Sequence, residues 1–227
     1  MNIAGFVKTS FVDYPGKIAS VIFTQGCNLR CSYCHNFSLI DKNDGSTSIL
    51  PEEILKFLAK RKGMIDAVVV SGGEPTLQKN LATFIRKLKY RGFLVKLDTN
   101  GTNPDHLRAL LDHNLLDFVA MDLKAPLSKY EQVTGTSCLG LSSVLESVEI
   151  IKSCKIAHEF RTTLCPELGA DDIASLIIDF EIDANYVVQS CRSTERKKVS
   201  RNQQDLERLT QWSQQNLSFS FRGFEVV

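Results

Sequence analysis

Short apolar and β-branched runs alternate along the chain with longer stretches in which apolar residues recur at helical spacing. The short runs predict buried strands, and the longer stretches predict amphipathic helices. Seven strands are predicted in this way, at residues 19–24, 67–71, 93–98, 118–121, 157–163, 186–190 and 219–224. Six helices are predicted between them, at residues 51–61, 77–90, 104–113, 141–154, 171–181 and 203–215. Such alternation is typical of parallel βα units.

Parallel strands joined by right-handed helical crossovers close naturally into a full or partial barrel. We therefore expect an α/β fold, a partial (β/α)6 TIM-like barrel with an additional C-terminal strand. A chain of 227 residues has the size at which such barrels form one domain, so we expect a single domain over residues 1–227. In this architecture the chemistry lies in loops that follow the C-terminal ends of the strands.

Composition and charge exclude several classes of protein. With 43% hydrophobic and 23% charged residues, the chain has the composition of a globular protein rather than a disordered one. A formal net charge of +1 provides no overall field toward nucleic acid or a membrane surface, so neither is expected as a partner. No apolar run approaches the roughly 18 residues of a membrane span, and residues 1–16 lack the apolar core of a signal peptide. We therefore expect a cytoplasmic protein.

Polar motifs follow four successive predicted strands. Residues 26–36 follow the first strand, 71–76 the second, 98–101 the third and 122–124 the fourth. Because the C-terminal ends of parallel strands meet at one rim, these motifs are expected to lie close together. Four such motifs in succession indicate a functional site more strongly than any one of them alone.

Cys27, Cys31 and Cys34 have the spacing C-x3-C-x2-C. Three thiolates on one tight loop can bind three irons of a 4Fe-4S cluster, whereas structural zinc sites and electron-transfer clusters normally use four protein ligands. His35 is a candidate fourth ligand, but it directly follows Cys34, which makes chelation around the same metal awkward. An open iron can bind a substrate or cofactor, which favours catalysis over electron transfer alone. Three buried free thiols are the alternative, and their clustering after a strand disfavours it.

The other four cysteines have spacings that suit no second cluster on one loop. We expect them to pack in the core as small apolar side chains. Cys191 differs in lying just past a predicted strand end, which leaves a role at the rim open. The four residues are Cys138, Cys154, Cys165 and Cys191.

Two further motifs suit a small charged ligand. The glycines of Gly72-Gly73-Glu74 let the backbone approach a ligand closely, and the carboxylate can receive an ammonium group, although an ordinary turn would also explain the motif. Asp98 and Asp122 follow adjacent strands. Two carboxylates that face one cavity need a cation or hydrogen-bond donors to offset their repulsion.

The segment from Gly5 to Asn36 carries a family resemblance. It contains Asp13-Tyr14-Pro15-Gly16 and the run from Gln25-Gly26-Cys27 to Cys34-His35-Asn36. It resembles the glycyl-radical activating branch of the radical S-adenosylmethionine (SAM) enzymes, and most nearly the longer form of the anaerobic ribonucleoside-triphosphate reductase activating proteins. Through the order of its motifs the similarity extends over essentially the whole chain. It is most specific over residues 5–36 and weakest after Thr163.

The resemblance implies two cofactors and the residues that bind them. A 4Fe-4S cluster would be held by Cys27, Cys31 and Cys34. SAM would be bound by residues from several loops: Asn36, Gly72, Gly73, Glu74, Asp98, Asn100, Lys124 and Arg161. For Arg161 a salt bridge within the protein is an equally good interpretation. A monovalent cation beside the cofactor carboxylate would be held by Asp98, Thr99, Asp122 and the backbone carbonyl of Ala120.

The resemblance also implies a reaction and partners. One electron from a flavodoxin or ferredoxin would cleave SAM, and the resulting 5′-deoxyadenosyl radical would take a hydrogen atom from a glycine of anaerobic ribonucleotide reductase. Activation of a pyruvate formate-lyase-like enzyme, or a small-molecule radical reaction, is an alternative that the motifs do not separate. A non-catalytic metal-binding module is a further alternative, but it would need neither Gly72 to Glu74 nor residues 98–101.

Three features in the C-terminal third have less specific interpretations. Residues 163–166 occupy the region that supports the adenine ring in many relatives, but no clear motif is present there. A basic run after the sixth predicted strand is expected to be a solvated loop, with a docking surface for the partner enzyme as the alternative. Trp212 is expected to pack in the core. The basic run consists of Arg192, Arg196, Lys197, Lys198 and Arg201.

Overall fold

One open sheet forms the centre of the fold in the computed structural model, which describes residues 1–41, 48–136, 140–191, 203–215 and 219–224. Its strands lie in chain order within these ranges: β1 (Ile3–Ser10), β2 (Ala19–Thr24), β3 (Ala67–Gly72), β4 (Leu94–Thr99), β5 (Phe118–Asp122), β6 (Ala157–Leu164), β7 (Tyr186–Ser190) and β8 (Phe219–Arg222). From β2 to β8 every neighbouring pair is parallel, and β1 is antiparallel to β2. Among the described strands β8 does not pair with β1, so the barrel is partial, as predicted.

Helices connect successive parallel strands. They are α1 (Pro51–Ala59), α2 (Leu81–Tyr90), α3 (Pro104–Asp112), α4 (Tyr130–Thr134), α5 (Leu141–Ser153), α6 (Ala170–Asp179) and α7 (Gln203–Gln215). Proline is the first residue of α1 and α3, where its missing N–H costs no intrahelical hydrogen bond. In the described part of the chain, no helix combines the length and the apolar character needed to cross a membrane.

The sequence-based predictions recover seven of the strands but miss β1. This strand lies at the edge of the sheet, and its central residues are half-buried or exposed, so it has no continuous apolar run. The helix predicted over residues 77–90 is also corrected: a short 3₁₀ turn, Pro75–Leu77, precedes α2, which begins at Leu81. Gln78 interrupts the helix because its side chain donates to the Gln25 carbonyl and accepts from the Asn2 N–H. The five-residue helix α4 was not predicted.

The main core lies between the sheet and its helices. In α2 the buried residues are Leu81, Phe84, Ile85 and Leu88, which recur at the spacing of one helical face. They pack in the same cluster as the buried strand residues on the outer face of the sheet. A smaller apolar cluster on the other face contains Tyr14, Ala19, Val21, Ala67, Val69, Phe118 and Ala120. This second cluster fills the interior below the strand ends and thereby supports the rim.

Two substitutions in α2 test this packing. Leu88 is fully buried, so Leu88→Ala removes apolar contacts and leaves a cavity, and we expect it to lower the free energy of unfolding by about 2–5 kcal/mol. Tyr90 lies on the same helix and is 91% exposed, so Tyr90→Ala should change the free energy of unfolding by less than ~0.5 kcal/mol. Urea unfolding under anaerobic, reducing conditions measures both. Equal losses in the two variants would contradict the assigned helix face.

Candidate active site

The cysteine loop follows β2 and is fixed by its own backbone. Four hydrogen bonds hold it, each from an N–H to a carbonyl: Gly26 to Leu39 (2.6 Å), Cys27 to Ile40 (3.1 Å), Arg30 to Thr134 (2.8 Å) and Ser32 to Val133 (3.1 Å). The first two are accepted by carbonyls of the segment that follows the loop, and the last two by carbonyls at the end of α4. The short helix that was not predicted therefore supports one side of the loop.

Cys27, Cys31 and Cys34 all line one cavity of about 330 Å³ at the C-terminal ends of the strands. Burial raises the pKa of all three thiols, and it raises that of Cys31 to about 11. Iron binds the thiolate rather than the thiol, so ligation here must release protons. The donor set, three thiols on one loop facing one cavity, suits a 4Fe-4S cluster with one iron left open.

Most of the predicted cofactor-binding residues line the same cavity. These are Asn36, Gly72, Gly73, Glu74, Asp98, Thr99, Asn100, Asp122 and Lys124, and His35 lines it as well. Two predicted residues do not. Arg161 lies behind the cavity wall, in contact with the two aspartates, and Ala120 is fully buried inside β5. The four loops that follow β2 to β5 thus meet at one place, as the order of the motifs predicted.

Gly72 and Gly73 bring the second loop against the cysteine loop. Gly72 has φ +122°, and a Cβ on it would lie 2.2 Å from the Thr24 nitrogen. A Cβ on Gly73 would lie 2.2 Å from the Gly26 carbonyl oxygen, and the next residue, Glu74, donates its N–H to that same oxygen at 2.8 Å. The sequence indicates a close backbone approach here. In the structure, the close approach is between the glycine loop and the cysteine loop.

Glu74 connects the second and third loops. It is 1% exposed, and Oε1 accepts hydrogen bonds from the N–H and hydroxyl of Thr76 and from the hydroxyl of Thr99. Oε2 accepts the N–H of Asn100 at 2.7 Å. Burial raises the pKa of the carboxyl group, and these donors oppose the rise. Glu74 therefore fixes the positions of Thr99 and Asn100 at the cavity.

Asn100 extends this network to the cysteine loop. Its side-chain amide donates to Asn28 Oδ1 at 3.0 Å and lies 4.0 Å from the Cys27 sulfur. Its Oδ1 accepts from the N–H and hydroxyl of Thr102. Asn28 in turn donates to the Thr102 hydroxyl at 2.7 Å. Asn100 is thus held beside the first cysteine from both sides.

Asp98 and Asp122 form an acidic pair with cations of the chain around it. Arg161 Nε lies 2.8 Å from Asp122 Oδ1, and Nη1 lies 3.6 Å from Asp98 Oδ1. Lys124 Nζ lies 3.0 Å from Asp122 Oδ2, and Lys96 Nζ lies 2.9 Å from Asp98 Oδ1. Burial alone would raise the pKa of both carboxyl groups, but these cations outweigh burial and lower it. The sequence-based alternative for Arg161, a salt bridge, is therefore present.

Several residues at the site were not predicted from the sequence. Lys96 is one, although it precedes Asp98 by two positions in a strand and so shares its face. Gln189 and Arg222, near the ends of β7 and β8, line the cavity, and Arg222 pairs with Glu159 at 2.8 Å. Both residues lie near the C-terminal ends of predicted strands, and that position is the feature of the sequence that could have indicated them.

The remaining cysteines and Trp212 have structural positions. Cys165 and Cys191 are buried in the main core, and Trp212 is partly buried against it, so the expected core packing is confirmed for these three. Cys154 is half-buried, with its sulfur 3.8 Å from the Ile156 carbonyl oxygen. Cys138 and the basic run lie outside the described residues. The basic run consists of Arg192, Arg196, Lys197, Lys198 and Arg201.

Comparison with known proteins places this site in a family. The sequence profile of the radical SAM superfamily matches residues 21–179. A protein of Methanocaldococcus jannaschii named as a glycyl-radical enzyme activating enzyme is 36% identical over 198 residues, which are 82% of this chain and 78% of that protein. A pyruvate formate-lyase-activating enzyme of Clostridium pasteurianum is 38% identical over 156 residues, which are 66% of this chain and 64% of that protein.

Solved structures with low sequence identity share the fold. QueE from Escherichia coli superposes with a TM-score of 0.62 at 17% identity, over 97% of this chain and 92% of that one. Streptococcus suis SuiB bound to S-adenosylmethionine gives a TM-score of 0.69 at 17% identity, over 89% of this chain but 50% of that one. At these identities the likeness supports the architecture alone.

The fold and the site define an enzyme of the radical SAM class. The chain belongs to the radical SAM superfamily and, within it, to the glycyl-radical enzyme activating enzymes. Enzymes of this superfamily use a 4Fe-4S cluster and S-adenosylmethionine.

The Glu74 network can be tested without any cofactor. In Glu74→Gln an NH₂ group replaces one carboxylate oxygen and faces donors, so we expect the free energy of unfolding to fall by about 1–3 kcal/mol. Glu52, in α1, has a side chain that is 70% exposed, so Glu52→Gln should change the free energy of unfolding by less than ~0.5 kcal/mol. Thermal unfolding of the iron-free proteins provides the comparison. An unchanged Glu74→Gln would show that the four hydrogen bonds contribute little.

Proposed function

We propose that this enzyme generates a glycyl radical on anaerobic ribonucleoside-triphosphate reductase. The observation that carries the proposal is the meeting of three cysteine thiols, the Gly72 to Glu74 loop and the ends of β4 and β5 at one cavity. A 4Fe-4S cluster and SAM bound there would supply the chemistry, in which one electron cleaves the sulfonium bond and a 5′-deoxyadenosyl radical takes a glycine hydrogen atom. The similarity to activating enzymes supports a glycyl-radical enzyme as the partner.

Cys27, Cys31 and Cys34 are the proposed cluster ligands. Their loop is held on one side by Leu39 and Ile40 and on the other by α4, so the thiols are oriented before iron binds. No acid or base is required of these residues. Their role would be to bind three irons of the cluster and leave the fourth iron open to SAM.

The loops after β3, β4 and β5 are the proposed SAM site. The backbone at Gly72 and Gly73 would face the methionine amine, and Lys124 carries a positive charge at the same cavity. Both carboxylate oxygens of Glu74 accept hydrogen bonds from the protein, so we propose that Glu74 holds Thr99 and Asn100 in place beside SAM. Asn36 lies two residues after Cys34, and the Asn100 amide lies 4.0 Å from the Cys27 sulfur, so both are proposed to contact SAM beside the cluster. Arg161 contacts the aspartates rather than the cavity, so we propose it as a positioning residue.

Electron supply and location complete the proposal. A flavodoxin or ferredoxin is proposed as the one-electron donor. We propose a cytoplasmic location, where thiols stay reduced and can bind iron.

The second candidate function is activation of a pyruvate formate-lyase-like enzyme. It is favoured by the 38% identity to the activating enzyme of Clostridium pasteurianum. The two candidates share all the residues proposed above and differ only in the partner.

Anaerobic activation assays separate the two candidates. The reconstituted enzyme is incubated with SAM, a reductant and either anaerobic ribonucleotide reductase or pyruvate formate-lyase, and the glycyl radical is measured by electron paramagnetic resonance. We expect a radical signal on the reductase and a much weaker one on the lyase. A signal confined to the lyase would favour the second candidate, and SAM cleavage without a signal on either would reject both.

The cluster assignment predicts different effects for two cysteines. Cys31→Ala should lose cluster absorbance and bound iron, and its rate of SAM cleavage under dithionite should fall by more than the ~100-fold that loss of an outer-shell metal partner can cost. Cys154 lies away from the cavity, so Cys154→Ala should keep both its iron and its rate. Iron analysis and quantified 5′-deoxyadenosine are the measurements. Full turnover by Cys31→Ala would overturn the assignment.

A further inference from the structure

Lys96 is a buried cation at the acidic pair. It lies in β4, two residues before Asp98 and on the same face, and its side chain is 2% exposed. Its Nζ lies 2.9 Å from Asp98 Oδ1 and donates to the Asp13 carbonyl at 2.8 Å. The Phe118 ring centroid is 5.7 Å away. The ammonium group is therefore held by Asp98, by the Asp13 carbonyl of the β1–β2 connection and by the Phe118 ring.

The acidic pair is already neutralised by the chain. Arg161 contacts both carboxylates, and Lys124 pairs with Asp122, so three cations of the protein surround two aspartates. Glu159, 3.8 Å from Arg161, adds a third acid, but it also pairs with Arg222. A metal cation added here would meet fixed positive charges that already form ion pairs with both carboxylates, with no excess negative charge to hold it.

The backbone at Ala120 offers little further support for a cation. Ala120 is fully buried in β5, in register with Asp98 on one side and Glu159 on the other. It thus lies between two paired strands, where backbone groups take part in the ladder of the sheet. Among the four ligands that the family resemblance implies for a monovalent cation, both carboxylates have protein partners and the carbonyl belongs to an interior strand.

We propose that the Lys96 ammonium group takes the place of a monovalent metal cation beside the cofactor cavity. It is a permanent counter-cation, attached to β4 and oriented by the Asp13 carbonyl, so the acidic pair stays neutralised at any potassium or sodium concentration. Lys96 is a positioning residue in this scheme, because it acts through Asp98. This inference rests on the proposed function only in placing the acidic pair beside the proposed SAM site.

Replacing metal cations by choline at constant ionic strength tests the wild-type enzyme. We expect the melting temperature of the iron-free protein to be the same in potassium, sodium and choline chloride. The dissociation constant for SAM of the reconstituted enzyme should likewise change less than about twofold. A saturable rise in melting temperature with potassium or sodium, absent with choline, would overturn the proposal.

The variant Lys96→Met removes the charge and keeps most of the side-chain volume. It should acquire a cation response: its melting temperature should rise by about 3 °C or more with potassium or sodium relative to choline. Removing the acid as well, in Lys96→Met with Asp98→Asn, should abolish that response. A folded Lys96→Met that shows none would contradict the proposal.

Two further variants keep the test decisive. Lys96→Arg retains the charge and should remain insensitive to the metal cation, even if Lys96→Met does not fold. Lys155 is exposed and precedes β6, so Lys155→Met controls for loss of one positive charge and should behave as the wild type. Because the melting temperatures are read without SAM or a partner enzyme, failure of the proposed reaction would leave these outcomes interpretable.

Discussion

The register between parallel strands is the constraint on which the site depends. Thr24 pairs with Gly72, Asp98 with Ala120, and Asp122 with Arg161, so the ends of β2 to β6 reach the same level. A shift of one residue in any of these strands would turn its inward side chains to the opposite face. The cysteine loop, the glycine loop and the acidic pair meet because the apolar residues below them fix that register.

Above the strand ends, polar contacts continue the same ordering. Two glycines allow the second loop to touch the first, and Glu74 connects the second loop to the third through four accepted hydrogen bonds. Buried polar groups are costly unless satisfied, and a fully bonded carboxylate of this kind favours one arrangement of its neighbours. The carboxylates of the acidic pair are satisfied by ion pairs instead, since each of them has a cation of the chain within 3.0 Å.

Much of this arrangement could be predicted from the sequence, because motifs that follow successive parallel strands must share a rim. The features that were missed depend on tertiary contacts with no local pattern. Strand β1 has little apolar periodicity and exists through its pairing with β2. Gln78 ends a helical pattern because distant Gln25 and Asn2 bind its side chain. Lys96 interrupts an apolar strand, and its burial is explained by contacts with Asp98, the Asp13 carbonyl and the Phe118 ring.

All four hydrogen bonds that Glu74 accepts come from groups of the protein itself. This bears on the order in which the chain folds and the cluster is inserted. The loops that follow β2, β3 and β4 are tied to one another by contacts within the chain. Synthesis of the polypeptide and delivery of the inorganic component can therefore be separate in time.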